Sequence, residues 1–123
     1  MSDVVVMRPN VELTQIYLHR DPIDFRKAHR GLVAIIELEL EHNPFDGHLY
    51  AFTNRQKNKI KCIFWEENGF VLYYKSLSEE KFKWPKRTDE IVTLTGQQMN
   101  WLLDGYDVMN MKPHRKLLYE SSY

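Results

Sequence analysis

Between Gly47 and about Trp84 the chain adopts a period of two, with β-branched and aromatic residues set between turn signals. That alternation restricts this stretch to strands whose successive side chains face opposite ways. The candidate strands are 48–53, 59–65, 70–75 and a shorter one over 81–84. Asn68-Gly69 suits a tight hairpin because both residues tolerate positive φ, and 54–58 is a polar connection of workable length. The order reads as an antiparallel meander.

Register then sorts the side chains. A first loop of three or five residues and a second of two or four put Tyr50, Phe52, Ile60, Cys62, Phe64, Val71 and Tyr73 on one face, the expected core. The opposite face carries Leu49, Ala51, Lys59, Lys61, Ile63, Trp65, Phe70, Leu72 and Tyr74. It is too apolar to be left entirely to water, so something should cover it.

Upstream, 14–18 reads as a short strand. Asp21-Pro22-Ile23-Asp24 then supplies a break and capping carboxylates for a helix over 23–42. Phe25, Ala28, Leu32, Ile36 and Leu40 recur at spacings of three or four, with Val33 and Ile35 widening the stripe, and Asn43-Pro44 ends it. Gly31 within that helix implies close approach to another backbone, expected to be a sheet. Downstream, 91–94 is a short strand, Thr95 an N-cap, 96–104 a helix with Met99, Leu102 and Leu103 on its apolar side, and Gly105 its stop. The expected fold is α+β: a single domain over 1–123, an antiparallel β-meander packed against one long helix, with a short C-terminal helix. The ordered body should run over about 11–108, with flexible tail segments at both ends.

With 123 residues, 43% of them apolar, the chain can bury one core. Seventeen basic and seventeen acidic side chains cancel, so any electrostatic recognition must be local. The single Cys62 cannot close an intramolecular disulfide, and a reducing compartment fits. Residues 1–10 contain Val4, Val5 and Val6 but no sustained apolar run, and no stretch approaches a membrane span, so a cytoplasmic location with no membrane partner is expected.

Metal-dependent strand cleavage needs convergent carboxylates holding two ions about 4 Å apart. Asp21, Asp24, Glu37, Glu39, Glu41 and Asp46 offer no such set, since Glu37, Glu39 and Glu41 do not share one compact helix face. Cys62 should point inward with no activating partner. His19, His29, His42, His48 and His114 lack a helical metal spacing, and His48 reads as a turn or strand residue. Hence no catalytic residue, metal or cofactor is expected. The basic residues are more informative. Arg26, Lys27, His29 and Arg30 open the helix, Arg55, Lys57, Lys59 and Lys61 follow one another without an acid, and Lys81, Lys83, Lys86 and Arg87 surround Trp84. Cations beside aromatics can neutralise phosphates and stack bases, although strand lysines also mark a wet side, and Trp65 and Trp84 read first as packing residues. Arg26 at a helix start is opposed by the macrodipole unless it reaches a carboxylate or phosphate.

A series of words across about 24–107 resembles one family. They are Asp24-Phe25-Arg26-Lys27 with Gly31-Leu32; Pro44-Phe45-Asp46-Gly47-His48-Leu49 leading into Phe52; and Asn54-Arg55 with Lys59 and Lys61. Trp65, Gly69, Leu72 and Lys75-Ser76-Leu77 follow, then Phe82-Lys83-Trp84-Pro85, and finally Leu94, Gln98, Leu102-Leu103 and Gly105. In this order they resemble the TnpB-type accessory protein of the sixty-sixth insertion-sequence family. The segment before about Leu13 and the tail after Asp107 match no word of it. The resemblance implies a nonenzymatic accessory of transposition, working beside a separate transposase and another accessory protein, and possible contact with element-end DNA. The DNA-contacting set expected here is Arg26, Lys27, Arg30, Arg55, Lys57, Lys59, Lys61 and Lys83. The alternative is a module that docks on the transposase through Trp65, Phe70, Leu72 and Tyr74 without touching DNA.

Overall fold

The computed structural model describes residues 15–86 and 91–111. The expectations for the N-terminal segment, for Arg87, for His114 and for the tail beyond 111 lie outside the described residues. One sheet organises the rest. Its strands are β1 (Ile16–His19), β2 (Leu49–Thr53), β3 (Lys59–Glu66), β4 (Gly69–Ser76) and β5 (Ile91–Leu94), in the order β4-β3-β2-β1-β5. β2, β3 and β4 run antiparallel in sequence, β1 lies parallel to β2, and β5 lies antiparallel to β1. The sheet is therefore mixed and five-stranded, wider than a meander alone. A parallel neighbour requires the chain to cross the sheet between β1 and β2, and the helical segment lies in that crossover.

The long helix over 23–42 does not exist. The helical segment is α1 (His29–Ala34), running directly into a wider π turn (Ile35–Glu39). The fold is thus not a meander on a long helix. The residues before α1 have their polar groups committed elsewhere. Ile23 N–H donates to Thr53 O at 2.9 Å, and Asp24 Oδ1 accepts from the Arg26 backbone N–H at 2.9 Å, so that carboxylate does not cap the helix. Lys61 Nζ donates to Phe25 O at 2.8 Å and Lys27 O at 2.7 Å. In a continuous helix those carbonyls would accept from His29 and Gly31. A bond from a charged donor contributes about 1.5–3 kcal/mol against about 1 for a neutral backbone bond, so the ammonium wins both. The first helical bond comes only at Leu32 N–H to Ala28 O, 3.1 Å. At the other end Glu41 turns the chain with φ +58. Gly31 is explained locally, since a Cβ there would meet Lys27 Cβ at 2.9 Å rather than a sheet.

Register between β3 and β4 follows the expected parity, with Phe64 opposite Val71 and a two-residue turn at Glu67-Asn68, one residue before the expected Asn68-Gly69. Glu67 takes the positive φ, +50. Between β2 and β3 the parity is the other one. Thr53 pairs with Ile60 and Phe52 with Lys61, which turns Tyr50 and Phe52 away from Ile60, Cys62 and Phe64. A one-residue change in a connection flips a whole strand. Here Asn54 causes it, because its Oδ1 accepts from both Asn58 and Lys59 N–H at 3.1 Å and lengthens the loop.

Both faces are consequently cores. On one, Ile16, Leu18, Leu49, Ala51, Ile60, Cys62, Phe64, Val92 and Leu94 meet α2 (Gly96–Leu103), through Met99, Leu102 and Leu103. On the other, Tyr50, Phe52 and Ile63 meet Leu32, Ile35 and Ile36 from the crossover. The expected strand over 81–84 is an irregular strap instead. Leu77 N–H donates to Asn58 O and Phe82 N–H to Lys57 O, each at 2.8 Å. Phe82 and Trp84 are carried into the first core, where Trp84 Nε1 donates to His19 O at 3.0 Å. The C-terminal helix has the expected ends. Thr95 and Gln98 form a capping box, and Gly105 with φ +98 closes a Schellman motif in which Tyr106 N–H donates to Trp101 O at 2.9 Å.

Replacing Lys61 with methionine should lower stability by about 1–3 kcal/mol in urea unfolding, because two carbonyls lose a charged donor. A variant as stable as the parent protein would show that the ammonium does not hold the 23–28 turn in place.

Candidate nucleic-acid interface

The 23–26 turn and the 54–59 loop, remote in sequence, meet at the Ile23–Thr53 hydrogen bond and enclose an open cleft of about 840 Å³. Pro22, Asp24, Phe25 and Arg26 form one wall, Asn54, Arg55, Gln56 and Lys59 the other, and Tyr74 of β4 closes the end. Three of the expected DNA-contacting cations, Arg26, Arg55 and Lys59, therefore share one concavity.

Arg26 is held by its neighbour. Its Nε donates to both Asp24 carboxylate oxygens, at 3.0 and 2.9 Å, and Nη2 donates to Oδ2. These bonds hold the Asp24 carboxyl well below the usual carboxylate range and raise the Arg26 guanidinium above its own. The Arg26 side chain is 92% exposed. A guanidinium has five N–H donors, so the carboxylate orients the fork while leaving donors for a second anion. Arg55 is exposed on the opposite wall. The loop that presents it is rigid by construction: Asn54, buried, donates from Nδ2 to Asn58 Oδ1 at 2.7 Å and Gln56 Oε1 at 3.3 Å, and Lys57 adopts φ +60.

Lys61 differs from expectation. It is only 6% exposed and lies behind the cleft, its ammonium 4.9 Å from the Phe25 ring centre and 5.6 Å from that of Tyr74. Burial lowers its pKa, and the charge of Asp24 opposes that shift. Its charge supports the wall rather than facing a ligand. Lys27 and Arg30 are exposed, and Lys83 is exposed on the strap, none of them in the lining of the cleft. Lys57 is half-buried next to it. Phe25 and Tyr74, whose rings meet edge to face at 6.0 Å, were not singled out as cleft residues by pattern. Nor was Asn54 singled out as an organiser, although the Asn54 and Asn58 pair is a turn signal that points to it.

A second polar cluster lies where the chain enters β2. Tyr50 Oη donates to Asp46 Oδ2 at 3.2 Å and is 3.0 Å from His42 Nδ1; His48 Nε2 is 3.6 Å from the same carboxylate oxygen. Tyr17 stacks on Tyr50 with ring centres 5.2 Å apart. Burial, then Asp46, pushes the Tyr50 hydroxyl well above its ordinary pKa. The cluster ties the 41–48 connection to the sheet. Among the described residues, no group of three histidine, cysteine or acidic side chains could hold a metal ion, and no helix is long and apolar enough to cross a membrane.

The residues of the docking alternative line one side of β4 and its neighbour. Trp65 and Phe70 pack edge to face at 5.1 Å, with Phe45 against both. Leu72 and Tyr74 are 41% and 51% exposed.

Residues 14–113 match the family model described as IS66 Orf2 like protein. Two curated proteins of Sinorhizobium fredii (strain NBRC 101917 / NGR234) are similar along most of their length. The uncharacterized protein y4jC is 29% identical over 98 residues, covering 80% of this chain and 84% of that protein. The uncharacterized protein y4hO is 27% identical over 101 residues, covering 82% and 88%. No solved structure shows a significant match.

Cys62 is buried in the first core, and burial pushes its thiol up to about 12. Iodoacetamide at pH 8 should therefore leave the native protein unmodified and label it stoichiometrically once denatured. Rapid labelling of the folded protein would contradict its placement in the core.

Proposed function

The chain belongs to the IS66 Orf2-like family, an insertion-sequence-associated family distinct from the transposase, and from that membership we propose that it is a nonenzymatic accessory of transposition. In this reading it binds element-end DNA along the backbone and works beside the separate transposase and the element's other accessory protein. The observation that carries the DNA contact is the convergence of Arg26, Arg55 and Lys59 on one cleft from two segments far apart in the chain. A neutral protein that places cations together has concentrated its positive potential where a phosphate can sit. Tyr74, 51% exposed at the end of the cleft, offers an aromatic ring beside them to a frayed or unpaired base. The carboxylate at the cleft, Asp24, is committed to Arg26, which supports a positioning role for it rather than catalysis.

The rival reading, docking on the transposase without DNA contact, draws on the exposure of Leu72 and Tyr74. Salt dependence separates the two. Affinity for an element-end duplex, measured by fluorescence anisotropy across a salt series, should fall linearly on logarithmic axes. The combined substitutions Arg26→Gln, Arg55→Gln and Lys59→Gln should flatten that slope by about 3 units if each cation neutralises one phosphate. Lys61 is left in place because it holds the wall. The circular dichroism spectrum and unfolding midpoint should change little, since surface changes cost within about 0.5 kcal/mol each. No DNA affinity, or an unchanged slope in the folded variant, would give the function to the docking alternative.

A further inference from the structure

β4 is an edge strand eight residues long. The turn at Glu67-Asn68 makes Glu66 and Gly69 the closing hydrogen-bonded pair, so Val71, Tyr73 and Lys75 direct their peptide groups inward to β3. The bond from Leu77 N–H to Asn58 O at 2.8 Å continues the same alternation. Phe70, Leu72 and Tyr74 therefore point their N–H and C=O groups outward, where nothing among the described residues pairs with them. Their side chains lie on one side of the sheet, Phe70 half-buried, Leu72 and Tyr74 exposed.

Edges of this length are normally blunted by a proline, a bulge or an outward charge. β4 has none of these: its register with β3 is unbroken over eight pairs, and of its four outward residues Phe70, Leu72 and Tyr74 are apolar or aromatic while Ser76, at its end, is uncharged. The opposite edge, β5, is only four residues long, which is itself a protective device.

We infer that β4 pairs antiparallel with β4 of a second copy of this chain across a twofold axis at Leu72, extending the sheet through the dimer. The register follows from matching like with like. With the axis at Leu72, Leu72 faces Leu72 of the other copy and Phe70 faces Tyr74, so every outward apolar residue meets another. Moving the axis to Tyr73 would set Phe70 against Ser76. The charges do not oppose this register: residues 69–74 carry none, and Lys75, whose ammonium is bonded to Leu103 O at 2.7 Å, lies opposite Gly69 of the other copy, so no like charges face each other along the paired strands. With no net charge on the chain, the copies have no overall repulsion to overcome.

The full chain should sediment as a dimer at micromolar concentration. Leu72→Pro removes an outward N–H that β3 does not use, so it should yield a monomer with an unchanged circular dichroism spectrum. Leu72→Lys, which sets two like charges together on the axis, should do the same. Should the proline variant fail to fold, the lysine variant still decides the question. Leu72→Cys should form an intermolecular disulfide on treatment with diamide, because a directly opposed hydrogen-bonded pair has Cα atoms about 5.5 Å apart. Cys62, buried, does not compete. An Arg55→Cys control should stay uncrosslinked. A monomeric parent protein, a folded lysine variant that still dimerises, or no crosslink at residue 72 would each overturn the inference. A complex formed only after a different protein is added would do so as well.

Discussion

The Lys61 ammonium, bonded to the carbonyls of Phe25 and Lys27, organises the second face of the sheet. It takes the two acceptors that would have begun a helix one turn earlier, so the chain leaves β1 as a turn and becomes helical only at His29. That turn is then pinned above β3, with the Phe25 ring beside Tyr74 of β4 and Asp24 free to orient Arg26. One buried cation thus links the sheet centre, the start of the crossover and the wall of the cleft. A lysine in a strand that alternates with apolar residues usually reaches water. Here its stem crosses apolar surface and its head finds backbone oxygen instead.

Two apolar faces on one sheet require two covers, and the chain supplies them asymmetrically. The first core is closed by α2 and by the strap that buries Phe82 and Trp84. The second is closed by only eleven helical residues, His29–Ala34 followed by Ile35–Glu39, over the inner strands. The outer part of that face, along β4, keeps Leu72 and Tyr74 open. The short crossover therefore has two consequences: the cleft exists because the turn before α1 is not helical, and the β4 margin is exposed because no longer helix reaches it.

Much of the strand pattern is legible in the residues themselves, because period-two alternation is dictated by pleat geometry whatever the neighbours do. β2 through β4, the Thr95 cap and the Gly105 stop follow from local chemistry, and the resemblance in motif order agrees with the family match over 14–113. The helix boundary was not legible. Phe25, Ala28 and Leu32 have helical spacing, and the group that breaks the pattern lies some thirty positions away in β3. The face of β2 was not legible either, since loop parity depends on a side chain, Asn54, bonding two backbone N–H groups. For the cleft, the cationic clusters could be read as clusters, but which members face a ligand is decided by burial. Arg26, Arg55 and Lys59 share the cleft, Lys61 is turned behind it, and Lys27, Arg30 and Lys83 lie outside its lining.

The central claim is that DNA is held where the 23–26 turn meets the 54–59 loop. Titrating the isotopically labelled protein with an element-end duplex and following backbone amide shifts by NMR tests it residue by residue. The account predicts saturable shifts at Asp24, Arg26, Arg55, Gln56 and Lys59, with β5 and α2 unmoved. Shifts confined to residues outside the cleft, or none at duplex concentrations that saturate binding, would contradict it.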